Sequence, residues 1–113
     1  MAAIPLNKFR TLTHSLTTAN VGIYTCPPGV AALIIYGNVA NVGGGTSVTA
    51  FTVQHNRGSV STPIVSQARI PSQDSMNFIE GRLVLETGDI LQIQSNDEDG
   101  TMQCIISILE NAK

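Results

Sequence analysis

The sequence predicts an all-β chain: a single-domain antiparallel β-sandwich, jelly-roll-like, of about eight strands. Three observations predict it. Val, Ile and Thr dominate the composition, and these side chains suit a pleated, half-buried surface. The 10 glycines and 5 prolines recur so regularly that few uninterrupted segments could hold a long helix. Strand-length apolar segments also alternate with turn signals at the spacing of a sandwich. At 113 residues the chain fits one domain, which buries roughly 65% of its unfolded surface without a disulfide or metal staple.

Each element follows from local chemistry. Phe9 to Leu16 and Ala19 to Cys26 read as the first two strands, the second stopped by Pro27, Pro28 and Gly29, which cannot continue a ladder. In the first of these, Leu6, Phe9, Leu12 and Leu16 also fit one face of a helix, whereas Thr11, Thr13, Thr17 and Thr18 favour strand. Residues 1–8 are expected to form an N-terminal arm ahead of a sandwich domain at 9–113, with Ile4 and Leu6 available to dock on a neighbour. Val30 to Val39 forms the next strand, with Gly37 as a bulge position. After the glycine-rich connection 41–46, Ser47 to Asn56 alternates as Val48, Ala50, Thr52 against Thr49, Phe51, Val53. These two strands are expected to pair as a hairpin.

Arg57 and Gly58 mark a turn before Val60 to Ile70, where Pro63 predicts an edge strand or a strand start. Ser72 to Gly81 is irregular. Leu83 to Leu85 and Ile90 to Ser95 flank the turn Glu86-Thr87-Gly88-Asp89, in which Gly88 supplies a positive φ. A turn at 96–100 leads into the last strand, Thr101 to Leu109.

Composition restricts the function. Charged residues are 12% of the chain, about half the usual ~25%, so the surface is built from neutral Thr, Ser, Asn and Gln. Such a surface packs against neighbours without stranding charges. The net charge of -2 and the six scattered Lys and Arg argue against binding nucleic acid, which needs clustered cations. No apolar run approaches a membrane span, and the N-terminus lacks the features of a signal peptide, so synthesis in a cytoplasm and free thiols at Cys26 and Cys104 are expected.

No residues combine into a catalytic or cofactor site. His14 and His55 have no nucleophile signature beside them, and two isolated histidines cannot supply the ligand set of a jelly-roll metalloenzyme. The acidic run Asp97-Glu98-Asp99 reads as a solvated loop tip, because it lacks the downstream bidentate Glu of a calcium loop. Glycines 43–45 precede neither a helix nor a Lys, so they are no phosphate cradle. Glu80 and Glu86 are surface residues beside turns. A sugar-binding face would present exposed rings, but there is no Trp, and Tyr24 and Tyr36 lie inside strands. The chain is therefore expected not to be an enzyme, and to hold no cofactor or metal.

Two strands are apolar on both faces. Ala31, Leu33 and Ile35 alternate with Ala32, Ile34 and Tyr36, and Cys104, Ile106 and Ile108 alternate with Ile105 and Leu109. A lone two-layer sandwich covers one face of each strand, so the other face is expected to meet another subunit. The candidate interface residues are Ile4, Leu6, Phe9, Ala32, Ile34, Tyr36, Ile105 and Leu109.

Two segments resemble a family of small virion proteins from tailed phages, especially phages of marine and freshwater bacteria. LTTANVGIYTCPPGVAALI (Leu16 to Ile34) is similar to that family's strand, Pro-Gly turn and apolar strand; FIEGRLVLETGDILQIQS (Phe78 to Ser95) is similar to its strand, Gly-Asp turn and strand ahead of a final apolar strand. The likeness spans roughly Leu16 to Leu109, and the chain departs from it in its N-terminal arm and triple glycine. The resemblance implies a β-sandwich that decorates or cements a capsid, assembled in a host cytoplasm, with homo-oligomer partners and other virion proteins such as the major capsid protein. A neck, tail or baseplate subunit is the alternative, and a receptor- or carbohydrate-binding module the second alternative.

Overall fold

The computed structural model describes residues 7–43, 48–96 and 101–112. Among these are nine strands and no helix: β1 (Asn7–Ser15), β2 (Val21–Thr25), β3 (Val30–Asn41), β4 (Thr49–Arg57), β5 (Val60–Ile70), β6 (Ser75–Asn77), β7 (Leu83–Leu85), β8 (Ile90–Ser95) and β9 (Met102–Ala112). They build two antiparallel sheets. The first has the order β1-β9-β3-β6, with β7 also paired to β3; the second has the order β2-β8-β4-β5. The chain changes sheet at every connection but β4–β5 and β6–β7, which is the jelly-roll winding of two interlocked Greek keys.

The core lies between the sheets. Ala32, Ile34, Val39, Leu85, Met102, Cys104, Ile106 and Ile108 come inward from the first sheet; Tyr24, Phe51, Val53, Leu91 and Ile93 meet them from the second. Strict alternation in β4, β8 and β9 produces this: every second side chain is buried because the pleat has a period of two.

β6 and β7 are two pieces of one edge strand. Asn38 to Ala40 pair with Asn77 to Ser75, and Ala32 to Ile34 pair with Leu85 to Leu83. The break between them is made by Phe78, which turns inward, packs edge-on against Phe51 at 6.3 Å, and takes the space left by the missing side chain of Gly37. A Cβ on Gly37 would stand 2.7 Å from the Phe78 ring. The Phe78 amide also donates to the Gly37 carbonyl at 3.0 Å.

Several expectations are corrected. β1 begins at Asn7, so strand structure reaches into the 1–8 arm, while the strand reading of the first element, favoured over a helix, holds from Asn7 to Ser15. Ile4 and Leu6 lie outside the described residues, as do 97–100 of the acidic turn. β3 and β4 do not form a hairpin, because they belong to different sheets and their connection crosses the sandwich. The bulge in β3 falls between Ile34 and Tyr36, not at Gly37. The segment expected to be irregular contains β6. Pro63 does lie in an edge strand, β5, and Gly88 does take a positive φ of 88°.

Candidate functional site

The outer faces of the two sheets differ in chemistry. On the second sheet the outward pairs between β4 and β8 are Thr52 with Gln94, Gln54 with Gln92 and Asn56 with Ile90, polar apart from Ile90 at the end of the row. On the first sheet, Phe9 of β1 pairs with Leu109 of β9, Leu109 with Leu33 of β3, and Leu33 with Val84 of β7. One apolar row thus crosses four strands on the face away from the core. Its two ends are the most open, Phe9 at 72% and Val84 at 56% exposure. Ala31, Leu33, Val84, Leu109 and Asn111 line a shallow dimple of about 180 Å³ in the middle of this row.

The β3 bulge enlarges the patch. Ile34 pairs with Ile108 and Tyr36 with Ser107, leaving Ile35 as the extra residue, so both Ile35 and Tyr36 are exposed while Gly37 returns to the interior. Without the bulge Tyr36 would point inward with Ile34. With it, Tyr36 stands at 44% exposure beside the apolar row, and Ile105 adds a further exposed side chain on β9. Toward the other end of the sheet the same face opens into a trough of about 560 Å³ of mixed lining, with Thr13, Ser15, Asn38 and Gln103 beside Ala40, Val42 and Ile105. Asn38 donates to Asn77 across this end at 2.8 Å.

The structure divides the predicted interface residues. Phe9, Tyr36, Ile105 and Leu109 lie on the outer face of the first sheet. Ala32 and Ile34, 1% and 0% exposed, are buried in the core between the two sheets. Leu33, Ile35 and Val84 were missing from the predicted set. Three consecutive apolar residues at Leu83 to Leu85 were the available signal for Val84, since a strand with one covered face needs only alternate apolar positions.

The acidic and aromatic groups form two polar clusters. At one end of the sandwich the buried Asp89 carboxylate accepts Arg57 Nε at 2.8 Å and Nη2 at 2.6 Å, the Glu86 amide at 2.9 Å, and contacts His55 Nε2 at 3.0 Å. The hydrogen bonds from Arg57 are the main cause that holds the Asp89 carboxyl well below the usual carboxylate range. Arg57 also reaches Glu86 at 2.8 Å, and its own proton is held more tightly by the bond to Asp89. The cluster ties β4 to the turn between β7 and β8. His55 is therefore an ion-cluster residue with Asp89, and no nucleophile among the described residues is bonded to it.

Inside the sandwich, Tyr24 Oη donates to Glu110 Oε2 at 2.5 Å, and Arg10 Nη1 reaches the same oxygen at 3.3 Å with its guanidinium 6.0 Å from the Tyr24 ring centre. Burial, reinforced by the bond to Glu110, pushes the Tyr24 phenol well above its ordinary value; the same bond is the first cause lowering Glu110. Tyr24 is thus buried, and of the two tyrosines only Tyr36 has a ring open to a partner.

His14 faces inward from β1, and its Nε2 is buried without a hydrogen-bond partner among the described residues. It lies along a cleft of about 280 Å³ shared with Leu12, Val21, Ile23 and Cys104. Cys26 and Cys104 are both buried and do not form a disulfide with each other, and burial pushes the Cys104 thiol up to about 11. Among the described residues no three His, Cys, Asp or Glu side chains gather as a metal-binding group. In comparisons with known proteins, no family model matches the chain and no curated protein is similar to it.

Proposed function

We propose that this chain is a non-enzymatic structural subunit of a virion, a capsid decoration or cement protein that stabilises the shell by bridging capsomers. The observation that carries the reading is the asymmetry between the two outer faces: the centre of the second sheet presents the polar Thr52, Gln54, Gln92 and Gln94, with Ile90 and Val60 only toward its end, whereas Phe9, Leu33, Tyr36, Val84 and Leu109 form a continuous apolar row on the first. A contiguous exposed apolar patch rimmed by polar groups is the usual mark of a protein contact surface. Low charge supports the same reading, because a subunit enclosed by neighbours then desolvates few ions on assembly. The likeness of Leu16 to Ile34 and Phe78 to Ser95 to small virion proteins of tailed phages supplies the virion.

The work of such a subunit is geometric. The apolar row covers a seam between shell proteins and adds buried area that opposes separation under internal pressure. A neck, tail or baseplate subunit would use the same face with a different symmetry. Copy number in purified particles separates the two: hundreds of copies support the shell reading, whereas six or twelve move the protein to the tail. Particles from which the chain is absent would refute both.

A further inference from the structure

We infer that β1 is the edge through which two copies of this chain join, antiparallel about a two-fold axis at Thr11, so that the first sheets of both copies become one continuous sheet. This deepens the assembly reading and rests on it only for the claim that the chain works as a multimer.

The edges of the two sheets are treated unequally. β5 carries Pro63, which has no amide to donate, together with two register shifts and Gln67 at a positive φ of 51°. β2 is five residues long and shifts register between Gly22 and Tyr24. β6 and β7 are three residues each. Short, bulged or proline-bearing edges are the ordinary protection against strand addition. β1 has none of these: it runs nine residues, pairs with β9 without a shift from Asn7 to Ser15, and has no other sheet partner among the described residues. Of its two charged side chains Arg10 is engaged with Glu110, which leaves the exposed Lys8 near one end of the strand as the one charge at this edge.

Sequence and charge select the partner and the register. Thr11 is the midpoint of Asn7–Ser15, so a two-fold there pairs every residue of the strand with one from a second copy. Asn7 meets Ser15, Lys8 meets His14, Phe9 meets Thr13, and Arg10 meets Leu12. No like charges oppose each other. A two-fold at Arg10 would place the two guanidinium groups face to face, and one at Phe9 would set Lys8 against Arg10, both unfavourable directly opposite pairs. The Thr11 register also brings an ammonium donor opposite His14, whose Nε2 has no partner among the described residues, and gives the exposed Phe9 a β-branched neighbour.

The test is disulfide trapping of the full chain. Directly opposite residues in an antiparallel pair have Cα atoms about 4.5–5.5 Å apart, within disulfide reach, whereas the two copies of Thr13 would be offset by roughly 13 Å along the strands. Under mild oxidation, Thr11→Cys is expected to give covalent dimer at least tenfold faster than Thr13→Cys. Thr11→Lys, which sets like charges against each other at the axis, is expected to weaken the dimer at least tenfold in sedimentation equilibrium. Equal trapping rates for the two cysteine variants in a protein that still sediments as a multimer would overturn this edge while leaving the assembly reading intact. A chain that stays monomeric through hundreds of micromolar, with no Thr11 trapping, would overturn both.

Discussion

Replacing Asp89 by Asn removes one charge at the point where four hydrogen-bond donors converge. Asp89 is 1% exposed, and its two oxygens receive Arg57 Nε and Nη2, the Glu86 amide and His55 Nε2, all within 3.0 Å. Asn keeps one acceptor oxygen but turns an NH2 toward the Arg57 fork, so the charge-assisted bonds are lost while the half-exposed Arg57 recovers water. The bonds lost at the buried carboxylate make Asp89→Asn cost about 3 kcal/mol at pH 7. For a domain of this size that lowers Tm by roughly 10–15 °C. The assay is urea and thermal unfolding of both proteins across pH. Because the folded Asp89 is held well below its unfolded value near 4, its contribution is complete above about pH 4 and is lost as pH falls through the folded value. The gap between wild type and Asp89→Asn should therefore be constant at neutral pH and narrow steadily below about pH 4. A difference under ~0.5 kcal/mol at pH 7, or a gap that ignores acid, would refute the reasoning.

Other perturbations test the packing. Ile34→Ala, on a fully buried side chain, should cost about 2–5 kcal/mol in urea unfolding, whereas Leu33→Ala on the outer face should cost well under half as much; equal losses would contradict the assignment of faces. Gly37→Ala should destabilise by about 1–3 kcal/mol, because its Cβ meets the Phe78 ring at 2.7 Å, and a neutral result would show that Phe78 does not fill that space. The raised phenol of Tyr24 gives stability that is complete below its unfolded value near 10 and is lost as pH rises toward the folded value. Tyr24→Phe should thus be less stable at pH 7, through loss of the bond to Glu110, yet decline less steeply in melts above about pH 10.

The local parts of the fold were legible because they rest on period and turn chemistry. Thr49, Phe51 and Val53 alternate as expected, Pro63 marks an edge, and Gly88 takes the positive φ its turn requires. The errors come from relations that no local window contains. Adjacency in sequence predicts that β3 pairs with β4, because neighbouring strands usually do, but the jelly roll sends them to opposite sheets. Tyr36 was grouped with Ala32 and Ile34 by strict alternation, and the single extra residue at Ile35 moved it to the other face. Asp89 read only as a turn residue, since Arg57 and His55 reach it from 32 and 34 positions away. The candidate site was half legible: apolar residues on both faces announced a second contact surface, while its members depended on the bulge and on the register that aligns Phe9, Leu109, Leu33 and Val84.

The most direct measurement is electron cryomicroscopy of purified particles that contain the chain, at a resolution that traces a jelly roll and its strands. The account predicts many copies on the shell, with Phe9, Leu33, Tyr36, Val84 and Leu109 covered by neighbouring subunits and the Gln-rich face of the second sheet open to solvent. Copies whose first sheet is bare while the second makes the contacts would contradict it, as would particles that lack the protein.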